Sequence, residues 1–229
     1  MQRSLDQLIN SVDTIFFDFD GVIKDSVEAK SLAFEKLFLS YGIDVAMRVR
    51  LHHEKNTGMS RFEKIPLYLS WVNESITSEN IQNYCNKFSS IVKQSVINAD
   101  WVPGVQEFIT NNYKTSRFIL VTATPKVEID EILEELNIRQ FFDEVYGSPT
   151  SKNNAISSAL ISLKIDPEDA ILIGDSSSDH DAAMSNGILF ILRRTELNND
   201  LQKKCGLNII EDFNDIQIST DKRNVPIIT

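Results

Sequence analysis

The chain has 229 residues, 42% hydrophobic and 24% charged, a profile of one large domain, or one domain carrying a smaller insert, that excludes disorder, collagen-like repeats and a disulfide scaffold. Its 33 Asp and Glu outnumber 23 Lys and Arg for a formal charge of -10, which repels nucleic acid and anionic membrane surfaces and disfavours both as partners. Cys85 and Cys205 form no CxxC, the N-terminus is polar, and no apolar run approaches the roughly 18 residues of a membrane span; a soluble protein of the reducing cytoplasm is expected.

The first apolar run, Thr14 to Phe19, has strand length and is followed by Asp20-Gly21-Val22. From Ser26 to about Ile97 the pattern is helical, with no convincing strand. A first helix is predicted from Val27 to Tyr41, with Ala33, Phe34, Leu37, Phe38 and Tyr41 on one face and Gly42 as terminator. A second opens at Ser60-Arg61-Phe62-Glu63, which reads as a capping box, and a third follows Thr77 and Ser78. Strand-length runs return at Arg117 to Thr122, Ala170 to Gly174 and Ile188 to Leu192, with a weaker one at Asp143 to Gly147. Between them lie helical patterns at Pro125 to Asn137 (Val127, Ile132, Leu133 and Leu136 inward), Asn153 to Leu163, and Asp179 to Asn186, the last closed by Gly187. Thr124 and Pro125 suit a cap and first helical position.

Alternating strand and helix imply a doubly wound parallel α/β sheet, and the helical stretch implies an inserted cap. The expected division is a core of residues 1–25 and 98–229 and an α-helical cap of residues 26–97.

In such a sheet the ligand crevice lies beyond the carboxyl ends of the strands. There the chain places Asp18 and Asp20, then Thr122-Ala123-Thr124, Lys152 after the weaker run, and Asp175 with Asp179. Asp18 and Asp20 are two apart, so their carboxylates share one side while strand geometry persists. Acids so close raise each other's pKa unless a cation intervenes, and magnesium takes such oxygen ligands. With Lys152 and Thr122 near, the cluster suits a phosphoryl group, whose charge on three oxygens must be neutralised and held.

This ordered set resembles the haloacid dehalogenase-like (HAD) hydrolase superfamily across nearly the whole chain. The resemblance implies a HAD-like Rossmannoid core, with Asp18 as the nucleophile that forms an aspartyl phosphate and Asp20 as the acid and base. It implies that Thr122 and Lys152 bind phosphate, with Gly21 and Ala123 as further substrate-binding positions. Magnesium would be held by Asp175, Asp179, Asp18 and the backbone carbonyl of Asp20. The stretch DFDGVIKDS at 18–26, followed directly by a helical cap, is most similar to the phosphoglycolate phosphatase and beta-phosphoglucomutase branch. The function so implied is a magnesium-dependent phosphatase acting on a small phosphorylated metabolite. A sugar phosphomutase, a phosphoacceptor regulator and a silent binding protein are the alternatives; the substrate and the oligomeric state stay open.

The cap carries 9 basic and 7 acidic residues against the acidic remainder, with Arg48, Arg50, Lys55, Arg61 and Lys64 grouped in 48–64. A cation in the first turn of a helix opposes the macrodipole unless an anion is bound there. Arg61 is therefore expected to reach over the crevice to the substrate phosphate or another anionic group. Ser176, Ser177 and Ser178 read as turn residues without a catalytic partner. His53-Glu54 lacks a second histidine at Thr57 and reads as a surface or cap-interface pair, and both cysteines read as packing residues.

Overall fold

The computed structural model describes residues 5–206, 208–216 and 218. In chain order the elements are α1 (Leu5–Asn10), β1 (Thr14–Phe17), α2 (Val27–Phe38), α3 (Ile43–Lys55), α4 (Arg61–Trp71), α5 (Ser78–Asn98), α6 (Val105–Asn112), β2 (Arg117–Pro125) and α7 (Lys126–Glu135). There follow β3 (Glu144–Ser148), α8 (Lys152–Ser162), β4 (Ala170–Gly174), α9 (Ser177–Asn186), β5 (Leu189–Arg193), α10 (Asn199–Cys205) and β6 (Ile209–Ile210).

The strands form one parallel sheet in the order β3-β2-β1-β4-β5-β6. The chain leaves β1 toward β2 and β3, then crosses back to β4 on the other side. That reversal makes the carboxyl ends of β1, β2 and β4 the natural ligand crevice. Strand periodicity divides the core between two faces. Ile15 and Phe17 pack with Phe118, Leu120, Ile171 and Ile173 on one face, while Phe16, Ile119, Val121 and Leu172 meet the apolar side of α8 and α9 on the other.

Helices α2 to α5 lie between β1 and β2 in sequence and form the helical cap. Its interior is aromatic: Phe34 stacks on Phe88 with ring centroids 3.9 Å apart, and Phe34 and Phe38 each meet Tyr68 edge-on at 5.6 Å. These rings are continuous with the core on one face of the sheet, the face that holds Ile15 and Phe17.

Several local expectations need correction. The first cap helix stays α-helical only to Phe38; its last turn tightens to a 3-10 turn at Leu39–Tyr41 before Gly42, whose φ of 105° ends it. No capping box forms at Ser60: its hydroxyl accepts from the Phe62 N–H at 3.3 Å, without a reciprocal bond from Glu63. The box appears instead at α9, where Ser176 is the N-cap and Asp179 the third residue, so Ser177 and Ser178 are helical rather than turn residues. β2 continues through Pro125, which delays α7 by one residue and makes Thr124 a strand residue. The buried stripe of α7 is consequently Glu128, Ile129, Ile132 and Leu133, and Val127 is 72% exposed rather than inward. Gly187 has the expected left-handed conformation, with φ 68°.

Candidate active site at the carboxyl ends of the strands

Asp18 directly follows β1, and its N–H donates to the Ile173 carbonyl at 3.0 Å, locking it beside the end of β4. One carboxylate oxygen accepts from the Phe19 N–H at 2.6 Å and the other from Lys152 Nζ at 2.6 Å. Lys152 is the first residue of α8, capped by the Ser151 hydroxyl, and its Nζ also donates to Asp179 Oδ1 at 2.6 Å. The other oxygen of Asp179 accepts from the Ser176 N–H and hydroxyl, at 3.2 and 2.5 Å, so the capping box that starts α9 also aims the acid. Asp175 ends the trio. Oxygen atoms of Asp18, Asp175 and Asp179 lie within 4.8 Å of one another, and all three residues are buried.

Burial pushes the Asp18 carboxyl up to about 7; Lys152 opposes the rise, while Asp179 and Asp20 add to it. Asp175 is raised well above the usual carboxylate range by burial and by Asp18 and Asp179. For Lys152, burial works against the charge, but Asp179 and Asp18 outweigh it and hold the ammonium above its ordinary value. Three buried carboxylates thus share a single lysine. An all-oxygen, negatively charged set of this kind fits a hard divalent cation, and Asp18, Asp175 and Asp179 would hold it.

Asp20 stands outside the trio. Its carboxylate accepts from the Ser26 hydroxyl at 2.6 Å, from the Lys30 ammonium, and from the Thr124 hydroxyl at 3.3 Å; Lys30 also donates to Thr124 at 2.8 Å. Burial alone would raise its pKa, but Lys30, with Ser26 and Lys152 adding to it, holds the carboxyl below the ordinary value and favours its ionised form. Only the backbone carbonyl of Asp20 is left for the metal role the resemblance implied. Gly21 has φ 77°, and a Cβ there would run into the Asp175 carboxylate, so this glycine lets the loop pass close to the trio. It does not line the cavity.

A cavity of about 30 Å³ lies between the strand ends and the cap. Asp18, Asp20, Thr122, Ala123 and Lys152 line it from the core, and Lys30, His53, Arg61 and Lys64 from the cap. Thr122 is buried, and its hydroxyl accepts from the Thr124 N–H at 3.2 Å. Arg61 lies where expected, but its guanidinium is already engaged. Its two terminal nitrogens grip Glu128 of α7 at 2.8 and 2.6 Å, Ser89 bridges the pair, and the guanidinium carbon lies 4.5 Å from the centroid of the Phe88 ring. The anion at the start of α4 is a core carboxylate.

Residues 15–192 fit the model of the haloacid dehalogenase-like hydrolases. The chain belongs to that family. As a haloacid dehalogenase-like hydrolase, it is an enzyme whose similar relatives include the phosphorylated carbohydrates phosphatase of Thermotoga maritima, 25% identical over 190 residues, 77% of this chain and 82% of the relative. Phosphoglycolate phosphatase 1 of Pseudomonas aeruginosa is 24% identical over 180 residues, 76% of this chain and 66% of that enzyme. Among solved structures, beta-phosphoglucomutase of Clostridium difficile has a TM-score of 0.72 at 23% identity, covering 90% of this chain and 93% of that one. CbbY of Rhodobacter sphaeroides, solved with phosphate, has a TM-score of 0.70 at 17% identity, over 89% and 96% of the two chains. These likenesses bear out the doubly wound core with its helical cap. No helix among the described residues is long and apolar enough to cross a membrane.

Sequence reasoning found the core acids, Thr122, Ala123 and Lys152, and placed Thr124 at the strand end without a role; it read His53 as a surface or cap-interface residue and Lys64 as one of the grouped cap cations, and it missed Lys30 and Glu128. A signal was present for both of these and for the burial of Lys64. Lys30 falls between Val27 and Phe34 on the apolar stripe of α2, Lys64 sits beside Ile65 and Tyr68 in α4, and Glu128 precedes Ile129 and Ile132 in α7. A charge placed within a buried helical stripe needs a partner or a ligand.

Proposed function

We propose that the protein is a magnesium-dependent phosphatase that hydrolyses a small phosphorylated metabolite through an aspartyl phosphate on Asp18. The observation that carries this reading is the placement of Asp18 against Lys152 and beside the carboxylates of Asp175 and Asp179, with a second, separately held carboxylate, Asp20, on the same cavity.

In this reading Lys152 and the Thr122 hydroxyl hold the phosphoryl oxygens, and an Asp18 carboxylate oxygen attacks phosphorus while the bond to the ester oxygen breaks. A magnesium ion on Asp18, Asp175 and Asp179 would supply the charge that makes phosphorus electrophilic. Asp20 gives its proton to the departing oxygen, leaving as its partner an alcohol. It then takes a proton from the water that attacks the aspartyl phosphate, releasing phosphate and restoring Asp18. The ligand-free pocket holds Asp20 in its base form; a phosphoryl dianion beside it raises its proton affinity and favours the acid form for the first step. Ser26 and Lys30 keep the carboxylate aimed throughout.

Residues 26–97 act as the cap over a core of residues 1–25 and 98–229. The cavity has room for only two or three waters, so the cap opens to admit the ester and closes to exclude bulk solvent. A cytoplasmic location, with no nucleic-acid or membrane partner, suits the charge and the metabolite.

A panel of phosphorylated metabolites assayed with magnesium for released phosphate tests the proposal, with the Asp18→Asn variant alongside. Turnover surviving in that variant overturns the nucleophile. Isomerised hexose phosphate in place of free phosphate replaces the hydrolase with a mutase.

A further inference from the structure

Of the four cationic side chains lining the cavity, three have a carboxylate: Lys30 has Asp20, Lys152 has Asp18 and Asp179, and Arg61 has Glu128. Lys64 has none. It is 1% exposed, and among the described residues its Nζ meets only His53 Nδ1 at 2.8 Å and the Thr57 carbonyl at 3.5 Å. With Lys64 donating to Nδ1, the ring proton of neutral His53 is placed on Nε2. That Nε2 is buried and has no hydrogen-bond partner. Two donors therefore stand in the cap wall with no carboxylate within hydrogen-bond distance among the described residues.

Leaving such groups unsatisfied costs stability, and packed apolar residues would serve the cap better. Position adds direction. His53 comes from α3 and Lys64 from α4, both across the cavity from Asp18 and Lys152, while Glu128 already neutralises Arg61. We infer that Lys64 and His53 form a subsite for a second negatively charged group of the substrate, so the enzyme selects small phosphomonoesters that carry another anion beyond the ester oxygen. The inference rests on the phosphatase reading. The electrostatics agree: burial and Lys30 push the Lys64 ammonium well down even though Asp20 and Glu63 pull the other way, and burial and Lys64 push His53 down, shifts that an anion bound between them would oppose.

The test measures binding to the full-length Asp18→Asn variant by calorimetry, with magnesium, for three probes. Phosphoglycolate carries a carboxylate, ethylene glycol bisphosphate a second phosphate, and ethyl phosphate neither. At least one doubly anionic probe is expected to bind about tenfold or more tightly than ethyl phosphate, and the tighter of the two identifies the group. Adding Lys64→Met should bring that ratio toward one, and His53→Gln should reduce it in part. Removing an unpaired buried charge should hold or raise the melting temperature of the ligand-free protein; if Lys64→Met does not fold, His53→Gln carries the comparison. Equal binding of all three probes, or a Lys64→Met loss shared equally by all three, overturns the subsite. Discrimination in binding without turnover of any ester by the wild-type enzyme removes the phosphatase reading and leaves the subsite. Turnover of ethyl phosphate as efficient as that of both doubly anionic probes does the reverse.

Discussion

The floor and the roof of the cavity are charged in opposite senses. The floor, built from strand ends, gathers Asp18, Asp175 and Asp179 around Lys152 alone. The roof, built from cap helices, presents Lys30, Arg61 and Lys64, with His53 beside them. Two roof cations reach across the joint to core acids, Lys30 to Asp20 and Arg61 to Glu128. What remains unpaired is an excess of carboxylate below and one ammonium above. The core is thus prepared for a cation and the cap for an anion, and closure brings both to one small space.

The floor is the harder half to alter without loss. Asp18→Asn removes the proposed nucleophile while keeping the bond from Lys152, and should lower kcat by at least about a thousandfold; a fall shared equally by Glu128→Gln would deny the floor its special place. Metal removal should likewise abolish turnover, and it has a signature in stability. A carboxyl whose folded pKa is raised binds its proton more tightly in the native state, so stability is lost as pH rises from the unfolded value toward the folded one. With Asp18 raised to about 7 and Asp175 also raised, the metal-free protein should melt at a falling temperature between about pH 4 and 7. Magnesium should restore it most at the upper end. A metal-free melting temperature that climbs over this window contradicts the crowding of the three acids.

The joint between the halves is tested by Glu128→Gln, which leaves the buried Arg61 guanidinium facing a neutral amide. Breaking one side of a buried pair costs about 3 to 5 kcal/mol, read as a lowered denaturation midpoint and faster proteolysis between cap and core. Replacing both partners by Met should recover most of that stability. If the single variant is as stable as wild type, the fork does not hold the cap.

The same contrast explains what could be read in advance. Floor residues follow short apolar strands, and a parallel sheet brings strand ends together by topology alone, so Asp18, Lys152 and Asp175 were legible as neighbours from sequence. Roof residues depend on how separate helices pack. Arg61 could be placed at a helix start, but its partner Glu128 is 67 residues away, on a helix whose buried face is read wrongly when its start is set one residue early. Lys64 and His53 meet only because α3 and α4 cross over the aromatic interior of the cap. A capping box has the same sequence form at Ser60-Glu63 and Ser176-Asp179, yet only the second closes, where Asp179 is also fixed by Lys152.

Lys30 belongs to both halves, since it rides on the cap yet sets the charge of a core acid. Burial by itself would raise the Asp20 pKa; the Lys30 ammonium leads the groups, Ser26 and Lys152 among them, that together reverse the sign. Lys30→Met should therefore move the acidic limb of the kcat profile to higher pH, because the base form of Asp20 needed to break down the aspartyl phosphate would then persist only in less acidic solution. At pH 7 the loss should be about tenfold and fall mainly on kcat. The stability linkage runs the same way: a depressed folded pKa stabilises the native state above the unfolded value and loses that contribution as pH falls through the folded one. The variant should consequently gain less stability than wild type between pH 3 and 5, and Lys30→Arg should recover part of both effects. An acidic limb that stays in place while kcat drops would show that Lys30 holds the cap down without tuning Asp20.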